Sequence, residues 1–255
     1  MKIERLLPAA VFAIAVTLGR MSAAPAAEIK VLSSNGFQAV LTDLAPQFER
    51  VTQQKIVVTY DLAAVLKQRI EAGETFDLAI LTPAAIDDLI KARRVVADSR
   101  TMLARSGLAI AIRAGARKPD ITTVDAFRRA LVGAKSIAYV KEGASGVAFA
   151  ALIQRLGMAD ALRAKTTLTA SAEEVGRAVV GGEVEFGVLP LSEVLPIRGA
   201  EALGTFPAEV QRYIVMVAGV STAAAQGKAA RDLIAFLTAP TALPVIKAKG
   251  MEVQR

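Results

Sequence analysis

The 255-residue sequence contains no histidine, no cysteine and no tryptophan. Without histidine there is no Ser-His-Asp or Cys-His nucleophilic site. Without cysteine there are no disulfides, so stability must come from a hydrophobic core. The two absences together exclude zinc held by His or Cys. Aromatic residues are scarce, at 5%. The basic residues are spread along the chain rather than clustered with those aromatics, which argues against nucleic acid as a partner. What remains is 53% hydrophobic and 22% charged, with a formal net charge of +7. That is the composition of a folded globular chain rather than a disordered one. The length suits one or two domains.

The first thirty residues carry an export pattern. Met1–Arg5 is a short charged stretch, and Leu6–Gly19 is an uncharged apolar run of 14 residues. Arg20 and the small residues Ser22–Ala27 follow. This is the order of a secretory signal peptide, and the apolar run is short of the about 20 residues that span a bilayer. Ala24-x-Ala26 fits a cleavage site, with Ala27 as a competing end. Residues 1–27 are therefore expected to be a signal peptide and the mature protein to reside in the periplasm. An uncleaved N-terminal anchor is the alternative that Arg20 leaves open. No later stretch reads as a transmembrane helix, because charges or Gly interrupt every apolar run. Residues 28–255 hold 28 basic and 23 acidic side chains, a net +5. A mildly basic exported protein suits a small anionic ligand.

From Ile29 onward, strand and helix patterns alternate. Ile29–Ser33, Ile56–Tyr60 and Phe76–Leu81 read as strands. The segment after Gly36 spaces Phe37, Val40, Leu41, Leu44 and Phe48 as one helix face, with Pro46 expected to kink or shorten it. Ala63–Ala72 reads as a helix stopped by Gly73, and Thr82-Pro83 starts another. Farther on, Leu108–Ile112, Ser136–Val140, Glu185–Leu189 and Tyr213–Val220 read as strands. Thr122/Thr123 start a helix, and Ser171-x-x-Glu174 is a capping box before another. Lys141–Gly146 reads as a loop leading into a helix over 147–156. Ala223–Leu237 and a last segment through Pro240 to Lys249 read as helices. Such alternation argues for an α/β fold with parallel strands covered by helices.

The chain resembles the periplasmic solute-binding proteins, of the class close to the molybdate-binding proteins of ABC importers. The residues that carry the resemblance are Val31-Leu32-Ser33-Ser34-Asn35 and Leu66-Lys67-Gln68-Arg69-Ile70-Glu71-Ala72-Gly73 followed by Phe76-Asp77-Leu78. Gly187-Val188-Leu189 and Phe236-Leu237-Thr238-Ala239-Pro240 add to it by order and spacing. The resemblance implies the two-lobe type II periplasmic binding protein fold, with two mixed sheets covered by helices and a ligand cleft between the lobes. Lobe one would hold 28–107 plus 214–255 and lobe two 108–213. The chain would cross a hinge near Gly107–Leu108 and again near Arg212–Tyr213.

The candidate ligand site follows from that placement. Ser33, Ser34, Asn35 and Gly36 lie between the first strand and first helix, where N–H groups and hydroxyls can cradle an anion. Ala144, Ser145 and Gly146 make the matching feature in lobe two. Where the molybdate-binding relatives offer a serine run, this chain has Ala63 and Ala64, and where they have a late tyrosine it has Leu189. A tetrahedral oxyanion needs a dense shell of donors, so these departures favour an organic carboxylate over molybdate. Lys141 and Arg212 are the first-ranked cations for such a ligand, with Arg69 and Arg105 behind them. Tyr60 and Tyr139 each end a predicted strand and could face the cleft. Asp77 reads as structural.

Two functions fit. The first is a periplasmic receptor that closes on a small anion and delivers it to an ABC importer permease in the inner membrane, acting as a monomer without cofactor or metal. The second is an isomerase on the same scaffold, since proteins similar to molybdate-binding proteins include one that interconverts cis- and trans-aconitate. With no His, its base would be a carboxylate, Lys, Tyr or an assisted Ser. Tyr139, Lys141 and Glu142 are the groups of these types nearest the expected cleft. A sensor module that docks a membrane partner is a third reading.

Overall fold

The computed structural model describes residues 28–253. The expected export segment, residues 1–27, lies outside the described residues. β1 (Glu28–Ser34) leads through a 3-10 turn at Asn35–Phe37 into α1 (Gln38–Thr52). β2 (Lys55–Asp61), α2 (Ala63–Glu71), β3 (Leu78–Leu81) and α3 (Pro83–Lys91) repeat the pattern twice. The long β4 (Thr101–Arg113) follows, then α4 (Val124–Gly133), β5 (Ile137–Val140), α5 (Ala144–Arg155) and α6 (Ala159–Arg163). β6 (Thr166–Thr169), α7 (Ala172–Gly181), β7 (Phe186–Pro190), α8 (Leu191–Val194) and β8 (Ala200–Thr205) come next. β9 (Tyr213–Val220), α9 (Gly227–Thr238) and α10 (Leu243–Ala248) complete the described chain. Among the described residues no single helix is long and apolar enough to cross a membrane.

The α/β class is as expected, but the two separate sheets are not. One mixed sheet runs in the order β2-β1-β3-β9-β4-β7-β5-β6, with β8 also on β4. The cause is β4. Its first part, Thr101–Gly107, pairs antiparallel with β9, and its second part pairs with β7 from Leu108 and with β8 from Ala109. The expected strand began at Leu108, and charged Arg105 hid the continuation before it. Arg105 is accommodated at the surface, where it pairs with Glu252 at 3.0 Å and stacks 4.0 Å above the Tyr213 ring. In the first half, β1 is parallel to β2 and β3; in the second, β5 is parallel to β6 and β7.

Gln211 brackets the point where β4 changes partners. Its side-chain carbonyl accepts from the Leu108 N–H at 2.9 Å and its amide donates to the Leu108 carbonyl at 3.2 Å. Asp77 is a buried polar fastening. One carboxylate oxygen accepts from the Lys30 N–H and the other from the Gln226 N–H, both at 2.8 Å, tying β1 to the start of α9.

Two local expectations are corrected. Pro46 does not shorten α1, which runs unbroken from Gln38 to Thr52. A proline inside a helix costs about 3 kcal/mol, whereas fully burying a large apolar side chain contributes roughly 1.5–3 kcal/mol. Val40, Leu41, Leu44 and Phe48 are all buried on one face, and together they outweigh the proline. Gly146 is not in a loop but in the first turn of α5, which starts at Ala144. A Cβ at Gly146 would lie 1.8 Å from the Val140 carbonyl oxygen, so glycine is what lets α5 pack onto the end of β5. The capping box holds: Ser171 Oγ accepts from the Glu174 N–H at 3.2 Å, and the Glu174 carboxylate accepts from the Ala170 N–H at 2.9 Å.

Candidate functional site

A cleft of about 950 Å³ opens where strands of both halves of the sheet end. Asn35 follows β1, and Tyr60 and Asp61 close β2. Ser171 follows β6, and Ser192 and Glu193 follow β7. This is the crevice beyond the carboxyl ends of parallel strands where α/β sheets bind their ligands. α1 adds Gln38, Thr42 and Asp43 to one wall, and α7 adds Glu173 and Arg177 to the other. Arg198, just past α8, and Lys249, just past α10, complete the charged lining.

The charges of the cleft are unequally engaged. Lys249 is held by Asp43 at 2.8 Å. Asp61 lies 3.8 Å from Arg69, whose guanidinium is bound by Glu74 at 2.6 Å. Arg177 and Arg198 are exposed to the cleft, and neither makes an ion pair among the described residues. Two guanidiniums without a carboxylate partner can bind carboxylates bidentately. Burial pushes the Tyr60 phenol up to about 12, so it stays a neutral hydroxyl donor.

Glu193 is the unusual group. Its carboxyl is half-buried in the wall of the cleft, and burial pushes it up from 4.5 to about 7. Its backbone position is fixed from both sides. The Ser192 hydroxyl donates to the Gly36 carbonyl at 3.1 Å, and the Ser192 N–H donates to Ser106 Oγ at 3.0 Å. The Ser106 hydroxyl in turn donates to the Gly250 carbonyl at 2.9 Å. A Cβ on Gly36 would stand 2.6 Å from Met216 Cε and 3.4 Å from Glu193 Oε1, so glycine there makes room for Met216, with the carboxyl close by. A carboxyl that titrates near neutrality can give or take a proton at working pH.

The expected site residues fall into three groups. Asn35 lines the cleft, and the Gly36 carbonyl beside it accepts from Ser192. Tyr60, the other tyrosine considered, also lines it. A second group is buried: Ser33, whose hydroxyl donates to the Ser34 carbonyl, and Ser34 itself. Ala63 and Leu189 pack in apolar clusters, and Ser145 and Gly146 sit in the buried first turn of α5. Tyr139 packs edge-on against Phe149 at 5.3 Å, and burial raises its phenol. The third group lies at the surface. Ala64, Lys141 and Ala144 are exposed, and Arg212 donates to the Gln211 carbonyl at the crossover of β4. Arg177, Arg198, Ser192 and Glu193 are brought into the cleft without having been singled out in the sequence, and Ser171, read there as a helix cap, joins them. Their common signal is position: Ser171, Ser192 and Glu193 come directly after the carboxyl end of a strand.

The family described as bacterial extracellular solute-binding protein matches residues 29–252. An aconitate isomerase of Pseudomonas sp is 30% identical over 238 residues, covering 91% of this chain and 90% of that protein. The molybdate-binding protein ModA of Azotobacter vinelandii is 28% identical over 243 residues, covering 91% and 92%. In three dimensions the periplasmic molybdate-binding protein of Azotobacter vinelandii superposes with a TM-score of 0.76 at 21% identity, over 89% of this chain and 100% of that one.

Proposed function

The chain belongs to the family of bacterial extracellular solute-binding proteins, and from that premise we propose that its cleft binds a small organic polycarboxylate. On this reading the protein is a periplasmic receptor whose two lobes, 28–107 plus 214–255 and 108–213, close on the ligand, and an ABC importer permease receives it. The observation that carries the reading is the pair Arg177 and Arg198, unpaired guanidiniums on one cleft. Asn35, Ser171 and Tyr60 add neutral donors around them. Two guanidiniums, each able to take a carboxylate bidentately, suit a ligand with two or more carboxylates.

A second reading, isomerisation of an unsaturated tricarboxylate, is favoured by Glu193 and by the aconitate isomerase relative. An ionised Glu193 would take a proton from a saturated carbon of the ligand. That C–H electron pair would become the shifted double bond, and the proton would return at the far allylic carbon. The sum is a 1,3-proton shift with no co-reactant.

The test is a thermal-shift screen of ligand-stripped protein lacking residues 1–27. The panel holds molybdate, sulfate, citrate, cis-aconitate and trans-aconitate. A ligand that binds only the folded state raises the melting temperature by mass action. The expected result is a shift with the carboxylates; a shift with molybdate or sulfate alone would overturn the reading. Interconversion of the two aconitates in the same tube separates the enzyme from the receptor.

A further inference from the structure

We propose that the cleft takes up one proton together with its anionic ligand, and that Glu193 is the group that holds it. The inference rests on the receptor reading of the cleft as a polycarboxylate site, in which Glu193 is not a base, and adds a proton to what is bound.

Glu193 stands in the wall that an anion would face, in the turn directly after β7. The Ser192–Gly36 and Ser192–Ser106 hydrogen bonds hold the backbone beside it, which keeps residue 193 at that wall. A ligand carboxylate offers acceptors and no donor, so an ionised Glu193 beside it would be a second anion in a half-buried space. Like charges at one site force one of them to protonate. A neutral Glu193 instead presents an O–H to the ligand, and an O–H donated to a carboxylate is among the strong hydrogen bonds.

The other charged groups around Glu193 leave this role open to it. β7 carries no titratable residue. Arg105 of β4 is engaged by Glu252 and the Tyr213 ring, and Arg113 is exposed at the end of that strand. Glu201 of β8 is bound by Lys118 at 2.8 Å. Across the cleft, Asp43 and Lys249 neutralise each other, and Asp61 faces Arg69. Tyr60 stays protonated, and Glu173, Arg177 and Arg198 are exposed. Burial is the cause of the raised Glu193 titration, so the nearby charges neither create it nor cancel it.

The experiment is calorimetric titration of trans-aconitate into the protein lacking residues 1–27, in pairs of buffers with different ionisation heats, from pH 6 to pH 9. The wild type is expected to draw close to one proton from the buffer above pH 7. Its affinity should fall by about tenfold per pH unit there. Glu193→Gln is expected to bind with no proton drawn and with affinity flat in pH. Binding by the wild type without proton uptake, or uptake that persists in Glu193→Gln, overturns the inference and leaves the carboxylate reading intact. No binding of trans-aconitate or citrate at any pH overturns both. A wild-type count of zero overturns the inference even if Glu193→Gln does not fold, and Glu193→Ala, which also lacks the carboxyl, then takes its place in assigning the proton.

Discussion

Replacing Glu193 with glutamine keeps the shape of the side chain and removes its charge, which makes the ligand-free protein a direct test of the buried carboxyl. In the fold this carboxyl titrates at about 7 instead of 4.5. Between those values the folded state holds a proton that the unfolded chain has released. Stability contributed by this group is therefore fully present below pH 4.5, falls as pH rises through the window, and stays at its lower level above pH 7. A gap of about 2.5 pH units corresponds to about 3 kcal/mol. Glu193 keeps some contact with solvent, so roughly 1–3 kcal/mol is the expected cost of its charge at pH 8. Glutamine cannot ionise, and Glu193→Gln should gain that amount over wild type at pH 8 and lose most of the gain at pH 5. For a chain of this size the gain corresponds to about 2–10 °C in melting temperature. Urea and thermal denaturation of both proteins, without ligand, at the two pH values measure it. A variant no better placed against wild type at pH 8 than at pH 5 would refute the reasoning.

Removing both Arg177 and Arg198 as alanines should weaken citrate or trans-aconitate binding by roughly 3 kcal/mol or more, about 1.5–3 kcal/mol for each charged hydrogen-bonding group, while unliganded stability moves by less than about 0.5 kcal/mol for each. Isothermal titration and urea melts together check the pair of outcomes. Gly146→Ala should destabilise by about 3 kcal/mol or more, because its Cβ would meet the Val140 carbonyl oxygen at 1.8 Å and backbone must shift. Chemical denaturation reads this, and a loss under about 0.5 kcal/mol would mean that α5 does not press on β5. Asp77→Ala should cost roughly 2–5 kcal/mol by stranding the N–H groups of Lys30 and Gln226. Hydrogen exchange at those two amides should rise together.

Much of the fold was legible because period and punctuation agreed. Tyr213–Val220 reads as a strand and is β9 to the residue. Thr123 and Ser171 cap the helices they precede, accepting from Ala126 and Glu174 as their spacing predicts. Illegible elements were those where a charge or tertiary packing overrode the local pattern. Thr101–Arg105 does not look like buried sheet, and β6, with the sequence TTLT and both middle residues exposed, has no apolar period to read. The site was less legible than the fold. Turn residues after β1 pointed to Asn35 and Gly36, yet Ser33 and Ser34 are buried and the Ser33 hydroxyl donates to the Ser34 carbonyl. Arg177 lies on a surface face of α7 that looks like any solvated face, and only the opposing wall of α1 makes it part of a cleft. Glu193 is ordinary in sequence. Its character comes from burial, which no spacing rule encodes.

The place of β9 in the sheet bears on how the protein is made. β3, whose four residues are all buried, is flanked by β1 on one side and by β9 on the other. Its second neighbour is contributed by residues 213–220, long after β3 itself has been synthesised. Until then Leu78–Leu81 is an open apolar edge, and pairing across so long a separation is slow and exposed to aggregation. No N-terminal fragment ending before Tyr213 can complete this sheet. The nascent chain therefore stays in an unfinished, sticky form for most of its synthesis, which places a premium on shielding by other proteins until about the last sixth of the chain is made.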